Sequence, residues 1–239
     1  MSGAADRRLA GRVAVVTGAS RGLGAAVARV IAAEGAHVVL VARTVGGLEE
    51  TDDAVRAAGG TATLVPLDLK EADRIDALGP QIFERFGKVD IFVGAAAALG
   101  ALTPVGHIRP DHWNETLAVN LTANWRMLRT LDPLLRRSDA GRVLIVSCAI
   151  AGGTDAYWAG YAASKGGLET LANLYAAETV NTPVRVNIVD PGAIRTGLRA
   201  AAFPGEDPAT VRTADAAAAA MLPFLLPDNT RHGERIALD

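Results

Sequence analysis

The stretch VAVVTGASRGLG occupies residues 13–24. Its first part, Val13–Val16, is an unbroken apolar run rich in β-branched residues, which suits a short strand covered on both faces. The run empties into a glycine-rich turn, Thr17–Gly24, and an apolar helical pattern follows over Leu23–Glu34. Glycines in such a turn let the main chain approach a pyrophosphate, and the following helix aims its free N–H groups and dipole at the charge. A structural turn with incidental glycines is the bland alternative, and the strand–turn–helix setting weighs against it. Thr17, Gly18, Ser20, Arg21, Gly22, Leu23 and Gly24 are therefore the candidate residues of a dinucleotide cradle.

Outward from this turn, apolar runs alternate with alanine-rich helical segments, the pattern of an α/β parallel sheet. Strands are expected at Val13–Thr17, His37–Ala42, Thr61–Pro66, Val89–Gly94, Arg142–Ser147, Val184–Val189 and Arg235–Leu238. Helices are expected at Leu23–Glu34, Gly47–Ala57, Glu71–Phe86, Asp111–Arg136, Ala159–Thr179 and Ala209–Leu225. No linker divides the chain and no internal repeat appears, so residues 1–239 are expected to form one domain.

The end of the second expected strand bears on cofactor choice. An acid there bonds a ribose 2′-hydroxyl, whereas an arginine accommodates a 2′-phosphate. Arg43 follows Ala42 directly, Arg21 stands inside the glycine turn, and no acid competes locally. These residues predict NADP(H) as the preferred cofactor, with NAD(H) as the alternative. Two solvated surface arginines are the competing explanation.

A second constellation lies in the string YAASK, residues 161–165. Tyr161 and Lys165 are four apart, so on a helix they share a face. An ammonium near a phenol favours the ionised form and lowers its pKa from about 10 towards neutrality. Such a phenol exchanges protons with a substrate oxygen at working pH.

With these motifs in hand, the chain resembles the short-chain dehydrogenase/reductase family over nearly its full length. The resemblance is carried by Thr17, Gly18, Gly22 and Gly24, by the pair Asp68-Leu69, by Asn120 in AVNL, by Tyr161 with Lys165, and by PGAIRT at 191–196. It implies a doubly wound Rossmann-type sheet of about seven parallel strands with helices on both faces. The N-terminal half would bind cofactor, and the C-terminal half would hold catalytic and substrate groups. It implies reversible NAD(P)-linked conversion of a carbonyl and a secondary alcohol on a small molecule. Tyr161 would be the general acid/base, and Lys165 would tune it and hold the nicotinamide ribose. Asn120 would interrupt a long helix and hold a relay water. Asp68 and Leu69 would approach the adenine, while Ala95, Pro191, Gly192, Ile194 and Thr196 would line the rest of the cofactor site.

The chain departs from the family in three places. The serine usually found thirteen residues before the tyrosine is Cys148, a weaker donor and acceptor. Ser147 is adjacent, but successive strand side chains point to opposite faces. The turn usually written Asn-Asn-Ala-Gly is here Gly94-Ala95-Ala96-Ala97, without either amide. The segment IALD carries no Gly-Gly and no tail, which leaves a homodimer and a homotetramer equally open. These losses keep a rival in view, a catalytically weak NADP(H)-binding sensor or scaffold. The retained Tyr161, Lys165 and Asn120 favour an enzyme.

Composition narrows the classes. Of 239 residues, 50% are hydrophobic, enough for a packed core, and the net charge of −2 offers no nucleic-acid footprint. The lone Cys148 excludes an internal disulfide and fits a reducing compartment. The charged N-terminal stretch is unlike a signal peptide, and the apolar stretch Ala216–Leu226 is too short to span a bilayer. A cytoplasmic protein without membrane contact is expected. His107 and His112 lack companion ligands, so no metal site is expected. Trp113 and Trp125 read as packing residues, Trp158 as a wall of the pocket, and Phe203 as a lid side chain over a small substrate of little charge.

Overall fold

In the computed structural model, which describes residues 7–238, the alternation of buried runs translates into a seven-stranded sheet. Its strands are β1 (Val13–Thr17), β2 (His37–Ala42), β3 (Thr61–Pro66), β4 (Ile91–Gly94), β5 (Arg142–Val146), β6 (Arg185–Asp190) and β9 (Arg235–Ala237). They lie in the order β3-β2-β1-β4-β5-β6-β9, and every pairing is parallel. Two short strands, β7 (Ile194–Arg195) and β8 (Arg212–Thr213), pair separately. The helices are α1 (Gly22–Ala33), α2 (Val45–Ala57), α3 (Ala72–Phe86), α4 (Pro110–Leu117), α5 (Ala123–Leu135), α6 (Ala159–Thr179), α7 (Gly197–Ala202) and α8 (Ala214–Met221).

The period-two rule explains both cores. Val15, Phe92, Val143 and Ile145 face one side and pack with Ile75, Met127 and Leu168 of α3, α5 and α6. Their neighbours Val16, Val93, Leu144 and Val146 face the other side and pack with Val27, Leu48 and Met221 of α1, α2 and α8. Strands covered on both faces cannot alternate polar with apolar, which is why β1 and β5 are buried at every position. The strand order reverses beside β1, between the crossovers to β2 and to β4. In a doubly wound sheet, the crevice at such a point, beyond the carboxyl ends of the strands, is where ligands bind.

Two helix expectations change. The segment expected as one helix, Asp111–Arg136, is α4 and α5 joined by a π-helical turn, Ala118–Thr122, with Asn120 at its centre. The segment expected as a helix over Ala209–Leu225 becomes a 3₁₀ turn, β8, α8 and a second 3₁₀ turn. Thr213 caps α8 by accepting from the Ala216 N–H, so that helix starts five residues late. Pro223 then falls in the closing 3₁₀ turn. Among the described residues no helix is long and apolar enough to cross a membrane. The first six residues of the N-terminal stretch and Asp239 lie outside the described residues.

Candidate active site

A cleft of about 750 Å³ opens at the carboxyl ends of the central strands. Its floor begins at the turn after β1. Gly18 has φ +69°, and a Cβ there would lie 2.8 Å from the Ala96 Cα, so only glycine lets the turn meet the loop after β4. Thr17 is buried, at 1% exposure, and does not line the cleft. Its hydroxyl instead accepts from the Ala95 and Ala96 N–H groups at 3.1 and 3.3 Å and faces the Val93 carbonyl. Its hydroxyl ties β1 to the end of β4, work that the lost amides at residues 94 and 95 would share.

Gly18, Ser20, Arg21, Gly22, Leu23, Gly24, Arg43, Asp68, Leu69 and Ala95 line one end of the cleft. Arg21 and Arg43 are exposed, and neither has an ion-pair partner among the described residues. Cys148, Tyr161, Lys165, Pro191, Gly192, Ile194 and Thr196 line the same cleft, and Thr196 Cγ2 lies 3.4 Å from where a Cβ on Gly22 would stand, so this residue joins the glycine turn to the segment after β6. Thr196 caps α7 by accepting from the Arg199 N–H at 3.2 Å.

Tyr161 and Lys165 share the inner face of α6, both buried. Lys165 Nζ donates to the Val146 carbonyl at 2.8 Å and lies 5.9 Å from the Tyr161 ring centroid. Burial lowers the Lys165 pKa to about 8. Burial also pushes the Tyr161 phenol up, and the neighbouring Cys148 thiol, within hydrogen-bonding reach, pushes it further. This corrects the expectation of a phenol lowered by its lysine. A fully desolvated ammonium, engaged with a main-chain carbonyl, does not offset the cost of placing a phenolate in the same buried corner. The Cys148 thiol is itself raised, chiefly by burial.

Cys148, not Ser147, stands beside the phenol. Ser147 Oγ is buried without a hydrogen-bond partner. The chain leaves the sheet ladder after Val146, and the Cys148 carbonyl accepts from Ala151 N–H and from Arg235 Nη2.

Asn120 is fully buried and does not line the cleft. Its Oδ1 accepts from Ala98 N–H at 2.7 Å, and its Nδ2 donates to the Ala98 carbonyl and to Ser164 Oγ, each at 2.9 Å. Ser164 in turn donates to the Tyr161 carbonyl at 2.7 Å. The side chain therefore pins the loop after β4 to the helix carrying the tyrosine.

Several supporting residues were not singled out from sequence. Asn124 Nδ2 donates to the Asn120 carbonyl at 2.9 Å, and its Oδ1 would lie 2.5 Å from a Cβ at Gly94. A carboxamide from α5 thus occupies the place that a side chain at residue 94 would take. The i, i+4 spacing of Asn120 and Asn124 was the available signal. Arg235 on β9 bridges Glu169, Asp190 and the Cys148 carbonyl, bracing this corner from the sheet edge. That bridge spans segments far apart in the chain and leaves no local signature.

The glycine turn, the buried Tyr–Lys pair and the pinning asparagine coincide with a family match. Residues 12–207 match the model described as short chain dehydrogenase. The chain belongs to the short-chain dehydrogenase/reductase family. The curated 3beta-hydroxysteroid dehydrogenase 1 of Eggerthella lenta is 36% identical over 197 residues, covering 82% of this chain and 75% of that protein. A short chain dehydrogenase from Pseudomonas syringae superposes with a TM-score of 0.93 at 34% identity, covering 98% of this chain and 97% of that one. Another, from Shigella flexneri and complexed with NADP, gives 0.93 at 29% identity over 98% and 99% of the two chains. As a member of this family the protein is an NAD(P)-dependent oxidoreductase.

Proposed function

We propose that this short-chain dehydrogenase/reductase reduces a carbonyl to a secondary alcohol, and catalyses the reverse, with Tyr161 as general acid/base and NADP(H) as preferred cofactor. The single observation that carries the proposal is one cleft lined by both the glycine turn and the buried Tyr161–Lys165–Cys148 corner. The residues fit a dinucleotide: the turn at Gly18 admits no side chain, and the N-terminus of α1 aims free N–H groups into the cleft. A nicotinamide held there would supply the hydride for the carbonyl carbon. Tyr161 gives its phenolic proton to the carbonyl oxygen, and the raised pKa keeps that proton in place at neutral pH. Cys148, beside the phenol, would offer the same oxygen a weak donor in place of a hydroxyl. Lys165, which lines the cleft, would hold the cofactor ribose and a proton near the phenol. Asn120 keeps Tyr161 and the loop after β4 in register, and its main chain sits in the π-helical turn that interrupts the helix.

NADP(H) preference is supported by Arg21 and Arg43, two cleft-lining cations without an ion-pair partner among the described residues, and by the NADP complex of the Shigella flexneri relative. The test of the catalytic role is Tyr161→Phe. Removing the hydroxyl should lower kcat by about 100- to 10,000-fold, the range of a lost general acid, with NADPH affinity changed less than about threefold. Turnover near wild type would remove Tyr161 from the mechanism.

A further inference from the structure

The catalytic end of the cleft carries an ordered stack that proton transfer does not use. Tyr157 has φ 74°, a left-handed backbone that a bulky residue rarely adopts, and its carbonyl accepts from Thr103 N–H at 3.1 Å. The next residue, Trp158, lines the cleft with its ring edge-on to Tyr161, centroids 5.9 Å apart. The same ring is tilted against Phe203 at 5.7 Å. Arg199 lies 3.9 Å from the Phe203 ring centroid, and its guanidinium donates to both Glu206 oxygens at 2.8 and 2.6 Å. Leu99, Val119, Ile194 and Leu198 complete this end.

The charges are as informative as the rings. Among the cations lining the cleft, Arg21 and Arg43 stand at the cofactor end and Lys165 is buried behind the phenol. Glu115 pairs with Lys70 at 3.4 Å, beside Asp68 on the cofactor side. That leaves Arg199, whose charge is already met by Glu206. An anionic substrate would lose its hydration here without gaining a partner, and the Glu206 carboxylate would repel it. Two aromatic rings meeting at an angle next to the proton donor reward a flat or cyclic apolar body instead.

We infer that the substrate is a neutral ketone, or the matching alcohol, borne on an aromatic or alicyclic ring seated against Trp158 and Phe203. The Arg199–Glu206 pair excludes carboxylates and phosphates. This substrate class rests on the redox role of Tyr161, and the experiment separates the two.

Initial rates with NADPH are measured for methylcyclohexanone, for oxocyclohexanecarboxylate (similar in size but charged), and for acyclic heptanone. NADPH binding, followed by fluorescence, reports that each variant is folded. Wild type should favour the neutral ring over the carboxylate by at least about 100-fold in kcat/KM, and over heptanone by about tenfold. Trp158→Ala and Phe203→Ala should each raise KM for the cyclic ketone by roughly five- to tenfold with little change in kcat. Glu206→Gln releases the Arg199 charge and should narrow discrimination against the carboxylate by about tenfold. The substrate class is overturned if wild type uses the carboxylate as well as the ketone, or reduces no cyclic ketone. It is also overturned if Glu206→Gln, still binding NADPH, leaves the ratio unchanged. Normal turnover of the cyclic ketone by Tyr161→Phe would instead sink the redox role while leaving the discrimination standing.

Discussion

At the β1 end of the cleft the main chain does the holding. Gly18 passes within contact distance of Ala96, Thr17 spends its hydroxyl on two backbone N–H groups, and the exposed arginines wait at the rim. At the β5 end, side chains do it, and they are buried: Lys165 on the Val146 carbonyl, Asn120 on Ala98 and Ser164, Asn124 over Gly94, and Arg235 on the Cys148 carbonyl. The first end tolerates no added atom. The second carries chemical replacements, cysteine in the serine position and alanine and glycine for the amides after β4, and a network of this kind is expected to tolerate them by redistributing its bonds.

The sharpest break of that contrast is Gly18→Ala. A methyl group in a left-handed turn packed on Ala96 should weaken NADPH binding about 100-fold and lower Tm by several degrees. Calorimetric titration and thermal melts check both. Unchanged affinity would mean that the turn is looser than its geometry.

At the other end the buried lysine makes stability depend on pH. The folded pKa of Lys165, about 8, lies below its ordinary 10.5, so between those values the unfolded chain holds a proton that the folded chain has released. Stability of the cofactor-free protein should therefore rise with pH through this window, by about 2 kcal/mol between pH 8 and pH 10. The raised Tyr161 and Tyr175 phenols stay protonated in the fold but begin to ionise in the unfolded chain at about pH 10. They oppose the rise at the top of the window, while the difference between wild type and Lys165→Met isolates the lysine. The raised Cys148 thiol opposes the trend, and more strongly in the variant, which lacks the Lys165 charge that holds it down. In Lys165→Met the lysine contribution vanishes, and denaturant unfolding at the two pH values should show the difference between the proteins.

Cys148→Ser sharpens the claim of tolerance. A hydroxyl is a stronger partner for the substrate oxygen, so kcat should rise about tenfold with cofactor affinity unaltered. A fall in kcat would show that the corner has adapted to the thiol. The mildest change is expected at the rim. Arg43→Ala should reduce the preference for NADPH over NADH, as a ratio of kcat/KM values, by about fivefold. No shift in that ratio would leave Arg43 a solvated surface charge.

Much of this was legible in the chain. The sheet, the glycine turn and the Tyr–Lys pair are local patterns, written within a few consecutive residues whose spacing fixes which atoms face together. All seven strands of the central sheet lie within two residues of where the sequence places them. The helix over residues 209–225 was not legible, because an alanine-rich stretch has helical propensity throughout and only the Thr213 cap decides where it begins.

The sequence by itself determined the doubly wound architecture, the cradle for a dinucleotide, and the residues able to exchange a proton. It could place an ammonium near a phenol, but not weigh the water that both lose. Tertiary structure alone decided that burial outweighs the lysine and raises the phenol, that Asn124 fills the space at Gly94, and that Glu206 silences Arg199. The reason is physical. Desolvation and charge compensation depend on which distant segments close over a group, and the linear order of residues carries no measure of that enclosure.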